Sequence, residues 1–181
     1  ITTQPAITTT ECIGGTVQLS VTAANGTGGY TYQWYSNAVN SNTTGTIIGG
    51  ATANTYTPPT LSAGTVYYYV IIAAAGNGCT NVTSNTAAII TVADPTISAQ
   101  PVSITECIGG TSVLSVTAAN GTGAYSYQWY SNVANNNTSG TSIGGATSAT
   151  YTPPTVSAGT LYYYVIVGAA GNGCGSVTSS V

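Results

Sequence analysis

The chain repeats itself at a constant offset of 95 residues: Cys12 returns as Cys107, Trp34 as Trp129, Tyr69 as Tyr164 and Cys79 as Cys174. Repeat units of about 20 to 50 residues must lean on their neighbours for a core, whereas a unit this long can bury one alone. The chain therefore reads as two modules, residues 1–94 and 95–181. Ahead of the first cysteine the register slips, Gln4-Pro5 matching Gln100-Pro101 at an offset of 96. The leading strand thus tolerates an insertion that the core does not.

Composition removes whole classes of function. There is no Lys, Arg or His, and the only acids are Glu11, Asp94 and Glu106. Without His or Lys there is no ordinary general base near neutral pH, which argues against an enzyme. Phosphate recognition rests on Lys and Arg, so nucleic acid is excluded as a partner. Calcium needs several convergent carboxylates and each module offers one glutamate, so neither a metal nor another cofactor is expected. Thr, Ser, Asn and Gly must cover the surface, because only 2% of residues are charged. Such an exterior suits glycosylation or close lateral packing in a fibre. At 43% hydrophobic residues, with 14 Tyr and two Trp, each module has material for its own core. No apolar run approaches the roughly 18 to 20 residues of a membrane-spanning helix. Residue 1 falls inside a repeat, so any signal peptide has been removed or lies outside this segment.

Turn punctuation by Gly, Pro and Asn separates segments rich in Val, Ile, Thr and Tyr, which predicts an all-β chain. In the first module the pattern predicts a strand over residues 6–10, a turn at Cys12-Ile13-Gly14-Gly15, and a strand over 16–23 in which Val17, Leu19 and Val21 share one face. Further strands follow over 30–36, 54–57, 65–72 and 87–92, with Tyr30, Tyr32 and Trp34 on one face. About seven short strands around a Trp on the third fit an immunoglobulin-like sandwich, two such sandwiches lying end to end. The bridge between the two sheets of antibody domains is missing, its positions held by Leu19 or Val21 and Val70. The Tyr67-Tyr68-Tyr69 run is read as core and inter-strand packing.

The order Cys-Ile-Gly-Gly, Tyr-Gln-Trp-Tyr-Ser-Asn, Ile-Gly-Gly-Ala-Thr, Thr-Tyr-Thr-Pro-Pro, Ala-Gly-Thr, Tyr-Tyr-Tyr-Val and Asn-Gly-Cys occurs in both modules. It resembles the tandem immunoglobulin-like or PKD-like repeats of secreted surface proteins and adhesins of the Bacteroidota. The resemblance implies an extracellular stalk, adhesin or fibre and carries over no active site. The loss of charge departs from ordinary members and favours a specialised filament.

Four cysteines in a secreted chain read as disulfides, with three possible pairings. Cys12 with Cys79 and Cys107 with Cys174 would close each module on itself. In a sandwich, however, the first turn and the late hairpin lie at opposite ends, roughly 25 Å apart along a strand, against the roughly 4.4 to 6.8 Å between bridged Cα atoms. The inter-domain alternative joins Cys12 to Cys174 and leaves Cys79 and Cys107 to bond between subunits. The late hairpin, Ala73 to Cys79, is expected to project beyond the sandwich with Asn77-Gly78 as its turn.

The second module stops at Val181, the counterpart of Thr86, and so lacks its last strand. Either the polypeptide continues or a neighbouring subunit supplies the strand, with Ile1 to Thr10 as one donor. Sequons for N-linked glycans occur at Asn25, Asn42, Asn81, Asn120, Asn136 and Asn137. The leading expectation is a secreted structural subunit that self-associates into a glycosylated extracellular or cell-surface filament. The alternative is an adhesin or carbohydrate-binding module gripping its ligand through exposed Tyr35 and Tyr130 and the loops 39–45 and 133–140, although ordinary cross-strand packing is the favoured reading of those two tyrosines.

Overall fold

All 181 residues are described in a computed structural model. The chain divides into two compact units, Ile1–Val92 and Ala93–Val181. Every regular element is a strand, and no helix is long and apolar enough to cross a membrane.

The first unit is an immunoglobulin-like sandwich built from β1 (Thr8–Cys12), β2 (Leu19–Ser20), β3 (Tyr30–Asn37), β4 (Thr46–Ile47), β5 (Thr55–Tyr56), β6 (Gly64–Ala74), β7 (Val82–Thr83) and β8 (Ala87–Val92). One sheet runs β1-β8-β6-β3-β4 with β7 added to β6, and the other pairs β2 with β5. The first strand forms about two residues later than the pattern predicts, because the chain changes sheets on its way. Thr3 bridges Thr22 on one side, and β1 then runs parallel to β8 on the other. At the crossing the Gln4 side chain accepts the Asn85 N–H at 2.9 Å, and in the second unit Gln100 takes that of Ser180 at 2.8 Å. The Gln-Pro pair therefore marks the crossing, and its shifted offset is a local insertion just after it.

Trp34 anchors the core: it is fully buried among Leu19, Val21, Val70 and Ile89 and stacks on Tyr56 at 5.9 Å. Its indole N–H donates to Ala53 O at 2.9 Å, so the ring is buried without an orphaned donor. The predicted alternation in residues 16–23 holds, with Leu19 and Val21 buried and Gln18, Ser20 and Thr22 exposed. Leu19, Val21 and Val70 fill the space where antibody domains carry a disulfide. Tyr68 lies inside, tilted against Tyr56 at 5.6 Å.

The second unit repeats the plan with β9 (Thr96–Ala99), β10 (Leu114–Ser115), β11 (Thr117–Ala119), β12 (Tyr125–Asn132), β13 (Thr141–Ser142), β14 (Thr150–Tyr151), β15 (Tyr162–Ala169) and β16 (Ser176–Thr178). Trp129 takes the place of Trp34, among Leu114, Val116, Val165 and Val167. β16, the counterpart of β7, pairs with β15, and in the first unit β7 is followed by β8. The pattern reading did not separate these two short strands. They are split by a serine that Val165 or Val70 grips twice: Ser84 N–H donates to Val70 O at 2.9 Å and Ser84 Oγ accepts the Val70 N–H at 3.0 Å, with Ser179 and Val165 alike. Residues 103–107 form no strand, and β15 begins three residues later than β6 by the repeat offset. The suggested donor segment Ile1 to Thr10 is already engaged within its own unit, at Thr22 and along β8.

Burial pushes the Tyr68 hydroxyl up to about 12, with repulsion from Tyr56 adding to it. A pKa raised by folding means that the neutral form is favoured in the fold. The stability is present below the unfolded value of 10.0 and is lost as pH rises toward the folded one. Urea titrations across this range should show stability falling between about pH 10 and 12, and Tyr68→Phe should flatten the fall. An equally steep loss in the variant would assign the alkaline transition to another group.

Candidate functional site

The chemistry-bearing side chains gather at the two ends of each sandwich. At one end of the first unit, β1 finishes at Cys12, opposite Val92 in the parallel ladder. The chain reverses in a tight turn, Gly15 N–H to Cys12 O at 3.0 Å, with Gly14 at φ +85° as a type II turn requires. Thr60 braces the turn from the neighbouring loop, its carbonyl taking the Gly14 N–H and its hydroxyl donating to Gly15 O at 2.8 Å. Glu11 is fully buried beneath, and its Oε2 accepts the Val17 N–H at 3.0 Å while Oε1 has no partner. A Cβ on Gly15 would sit 2.2 Å from that carboxylate, so only glycine fits. Cys107 ends the same arrangement in the second unit: Thr155 braces it, Glu106 takes the Ser112 N–H at 3.1 Å, and a Cβ on Gly110 would sit 2.3 Å from the carboxylate.

At the other end, β6 leads into the turn Gly76-Asn77-Gly78-Cys79, closed by Cys79 N–H to Gly76 O at 3.2 Å. The turn falls at Asn77-Gly78 as expected, but the hairpin does not stand clear of its neighbours. Ala73 and Ala74 stay paired with Thr31 and Tyr30, and Gly29 O and Thr27 O accept the next two N–H groups. The glycine-rich link before β3 therefore walls the hairpin to its tip. Thr27 Oγ1 lies 3.8 Å from Cys79 Sγ, and hydrogen bonding to the Thr27 backbone and then its hydroxyl draws the exposed thiol below its usual value. In the second unit Cys174 Sγ lies 3.8 Å from Thr122 O, and Asp94 Oδ1 accepts the Gly175 N–H at 3.1 Å.

Cys12 and Cys174 are in the disulfide state, whereas Cys79 and Cys107 are exposed free thiols. Closure of the first unit on itself is ruled out by the ladders. Cys12 lies at the Val92 end of β8, which is the Gly64 end of β6, and Cys79 lies beyond Ala74 at the other end. The 11 residues of β6 separate them by roughly 33 Å at the usual strand rise. No three His, Cys, Asp or Glu side chains gather as a metal site would need.

Tyr35 and Tyr130 are half-buried and make the cross-strand packing that the sequence favoured over ligand contact. Tyr35 sits directly opposite Tyr69 and stacks on it at 5.0 Å, as Tyr130 does on Tyr164. The loop 39–45 is held by Asn37, whose side-chain amide donates to Ser41 O and Thr44 O, and its Gly45 lies against Tyr69. The sequons divide by environment. Asn42 and Asn137 are half-buried and spend their amide N–H on Ser84 O and Ser179 O at 2.8 and 2.7 Å. Asn136 is half-buried with Oδ1 accepting from Ser139 Oγ at 2.8 Å. Asn25, Asn81 and Asn120 are exposed, although Asn120 donates to Thr96 Oγ1. Sequence reasoning missed the Glu11 and Glu106 clips, the Thr27 and Thr122 braces and the Asp94 contact. Their signal was recurrence: Glu11 and Thr27 return at the offset of 95 as Glu106 and Thr122.

A Glu11→Ala substitution strands the Val17 N–H and should cost about 1–2 kcal/mol in urea unfolding, with faster hydrogen exchange at Val17. Glu11→Gln, which keeps an acceptor oxygen, should recover most of it. Equal losses in both variants would mean that the charge, not the acceptor, matters.

A family model described as "Ig-like domain CHU_C associated" matches residues 2–95, and one described as a domain of unknown function, DUF8696, matches residues 96–181. No curated protein matches the chain. Among solved structures, Drosophila OTK extracellular domains 3–5 are similar at 17% identity and TM-score 0.48, over 98% of this chain and 58% of that one. Sidekick-1 immunoglobulin domains 1–5 are similar at 14% identity and TM-score 0.45, over 98% of this chain and 37% of that one. The fibronectin(III)-like modules of Clostridium thermocellum CbhA are similar at 13% identity and TM-score 0.40, over 96% and 88%. The chain thus spans little more than half of the OTK fragment and about a third of the Sidekick-1 fragment.

Proposed function

Because the chain belongs to the family of CHU_C-associated Ig-like domains, we propose that it is a structural subunit of an extracellular fibre or cell-surface stalk, joined end to end by disulfides. Tandem Ig-like domains are typical of cell-surface and adhesion proteins. The observation that carries the filament reading is the state of the cysteines: Cys12 and Cys174 are oxidised, and their repeat counterparts Cys107 and Cys79 are exposed thiols.

Chain connectivity supports pairing Cys12 with Cys174. Cys12 ends opposite Val92, and Cys174 precedes Gly175, whose N–H is held by Asp94, so both cysteines belong to the ends that the backbone joins at residues 92–94. A second copy offers the same pair of ends again. Cys107 of one copy and Cys79 of the next then form the equivalent bond, two thiols losing two protons and two electrons to a disulfide or dioxygen oxidant. Glycans, where added, belong on exposed Asn25, Asn81 or Asn120 rather than on Asn42 or Asn137, whose amide groups are committed. The adhesin reading is weaker, since Tyr35 and Tyr130 are occupied with their stacking partners.

Non-reducing peptide mapping with chymotrypsin, chosen because no Lys or Arg offers trypsin a site, should recover Cys12 linked to Cys174 and, from assembled material, Cys79 linked to Cys107. A Cys12–Cys79 peptide overturns the scheme. Cys79→Ser should abolish disulfide-linked multimers on non-reducing gels and leave the Cys12–Cys174 peptide intact. Multimers persisting in that variant would count against covalent end-to-end linkage.

A further inference from the structure

Asn77–Gly78, the turn that presents Cys79, is built to modify itself, and we propose that Asn77 deamidates spontaneously in the folded protein. The chemistry is an intramolecular acyl substitution. The Gly78 backbone nitrogen attacks Asn77 Cγ, a C–N bond forms, and the side-chain nitrogen leaves as ammonia with the displaced proton. Water then opens the cyclic imide at either carbonyl, giving aspartate or isoaspartate, so the net change is one water consumed and one ammonia released.

Three features of the turn favour this route. Asn77 and Gly78 are exposed. The Gly78 N–H donates to nothing, because the closing hydrogen bond of the turn is made by Cys79 N–H. A Cβ added at Gly78 would meet no atom within 4 Å, so the backbone has room for ring closure.

Two other Asn–Gly pairs in the chain serve as internal controls. The Gly26 N–H is donated to the Tyr30 hydroxyl at 2.9 Å, and the Gly121 N–H to Ala93 O at 2.9 Å. Both glycines are also crowded, a Cβ on Gly26 lying 2.8 Å from the Tyr30 ring and one on Gly121 lying 3.1 Å from Ala169. Attack at Asn25 or Asn120 must first break a hydrogen bond and open a packed turn. A fourth pair, Asn172–Gly173, precedes a cysteine already in a disulfide, so the consequence for a thiol concerns Asn77 alone.

That consequence rests on the proposed end-to-end linkage. The chain carries a formal charge of −3, and the new carboxylate would stand two residues from Cys79. It opposes ionisation of the thiol, which Thr27 otherwise promotes, and it adds a charge to a surface that must be desolvated when a second copy docks. Aged subunits would therefore extend a fibre more slowly than fresh ones.

The intact chain, held at mildly alkaline pH and sampled over days, should show Asn77 converting about tenfold or more faster than Asn25 or Asn120, the factor that one ordinary hydrogen bond is worth. Peptide mass mapping with an isoaspartate assay reads this directly. Tyr30→Phe, which frees the Gly26 N–H, should make Asn25 labile. Intact Asn77, or Asn25 converting as fast in the unsubstituted chain, overturns the proposal. Asn77→Asp, with Asn77→Ser as the neutral control, should slow Cys79-dependent multimer formation severalfold. Equal rates in the two variants would remove the consequence for assembly. Absence of multimers from every variant would sink the linkage reading and leave the mapping result standing.

Discussion

The ladder between β3 and β6, eight residue pairs from Tyr30–Ala74 to Asn37–Tyr67 and matched by β12 with β15, positions nearly everything else in each unit. Its register puts Trp34 opposite Val70 on the inner face and Tyr35 opposite Tyr69 on the outer one. A slip of one residue would exchange the faces and expose the indole. The same ladder carries β6 the full length of the sandwich, so the two cysteines of a unit are held at opposite ends and cannot meet. Same-unit closure is thus forbidden by strand pairing rather than by any property of the cysteines.

Much of this was legible in the sequence, because it follows from local pattern. The offset of 95 residues separates the units, period-two alternation in residues 16–23 marks a half-buried strand, and Trp34 with Tyr30 and Tyr32 declares the inner face. What escaped depends on partners distant in sequence. Glu11 looks like an exposed turn acid, yet it is fully buried because the Gly15 position leaves room for its carboxylate and Val17 offers a donor. Asn42 reads as a sequon, but its amide is spent on a carbonyl 42 residues away. The packing of Tyr35 was legible, but not that Gly45, in the loop tied down by Asn37, lies against its partner Tyr69.

These escapes share a cause. With no Lys, Arg or His, the side-chain bonds of this chain must come from neutral amides, hydroxyls, indoles, cysteine sulfurs and three carboxylates. Each such group is short, so it reaches only atoms that the fold has already brought close. Ser84 illustrates the density that results: its N–H and Oγ clasp Val70, its Oγ also donates to Asn85 O, and its carbonyl accepts from Asn42. A buried polar group in that position costs little because every one of its atoms is paired. Ser179 does the same in the second unit.

A fold held this way responds to its surroundings differently from an ordinary one. Surface ion pairs weaken with salt, and this chain has no basic side chain with which to form one. Its hydrogen bonds and its Trp-centred cores are insensitive to ionic strength at ordinary concentrations. The same absence means that the surface carries neither attraction nor strong repulsion between copies, apart from the few acids. Association then depends on shape, on hydrogen bonding and on whatever covalent links form, because electrostatic steering has almost nothing to act on. A charge appearing at one end of such a subunit would weigh far more here than on a protein already dense with charge.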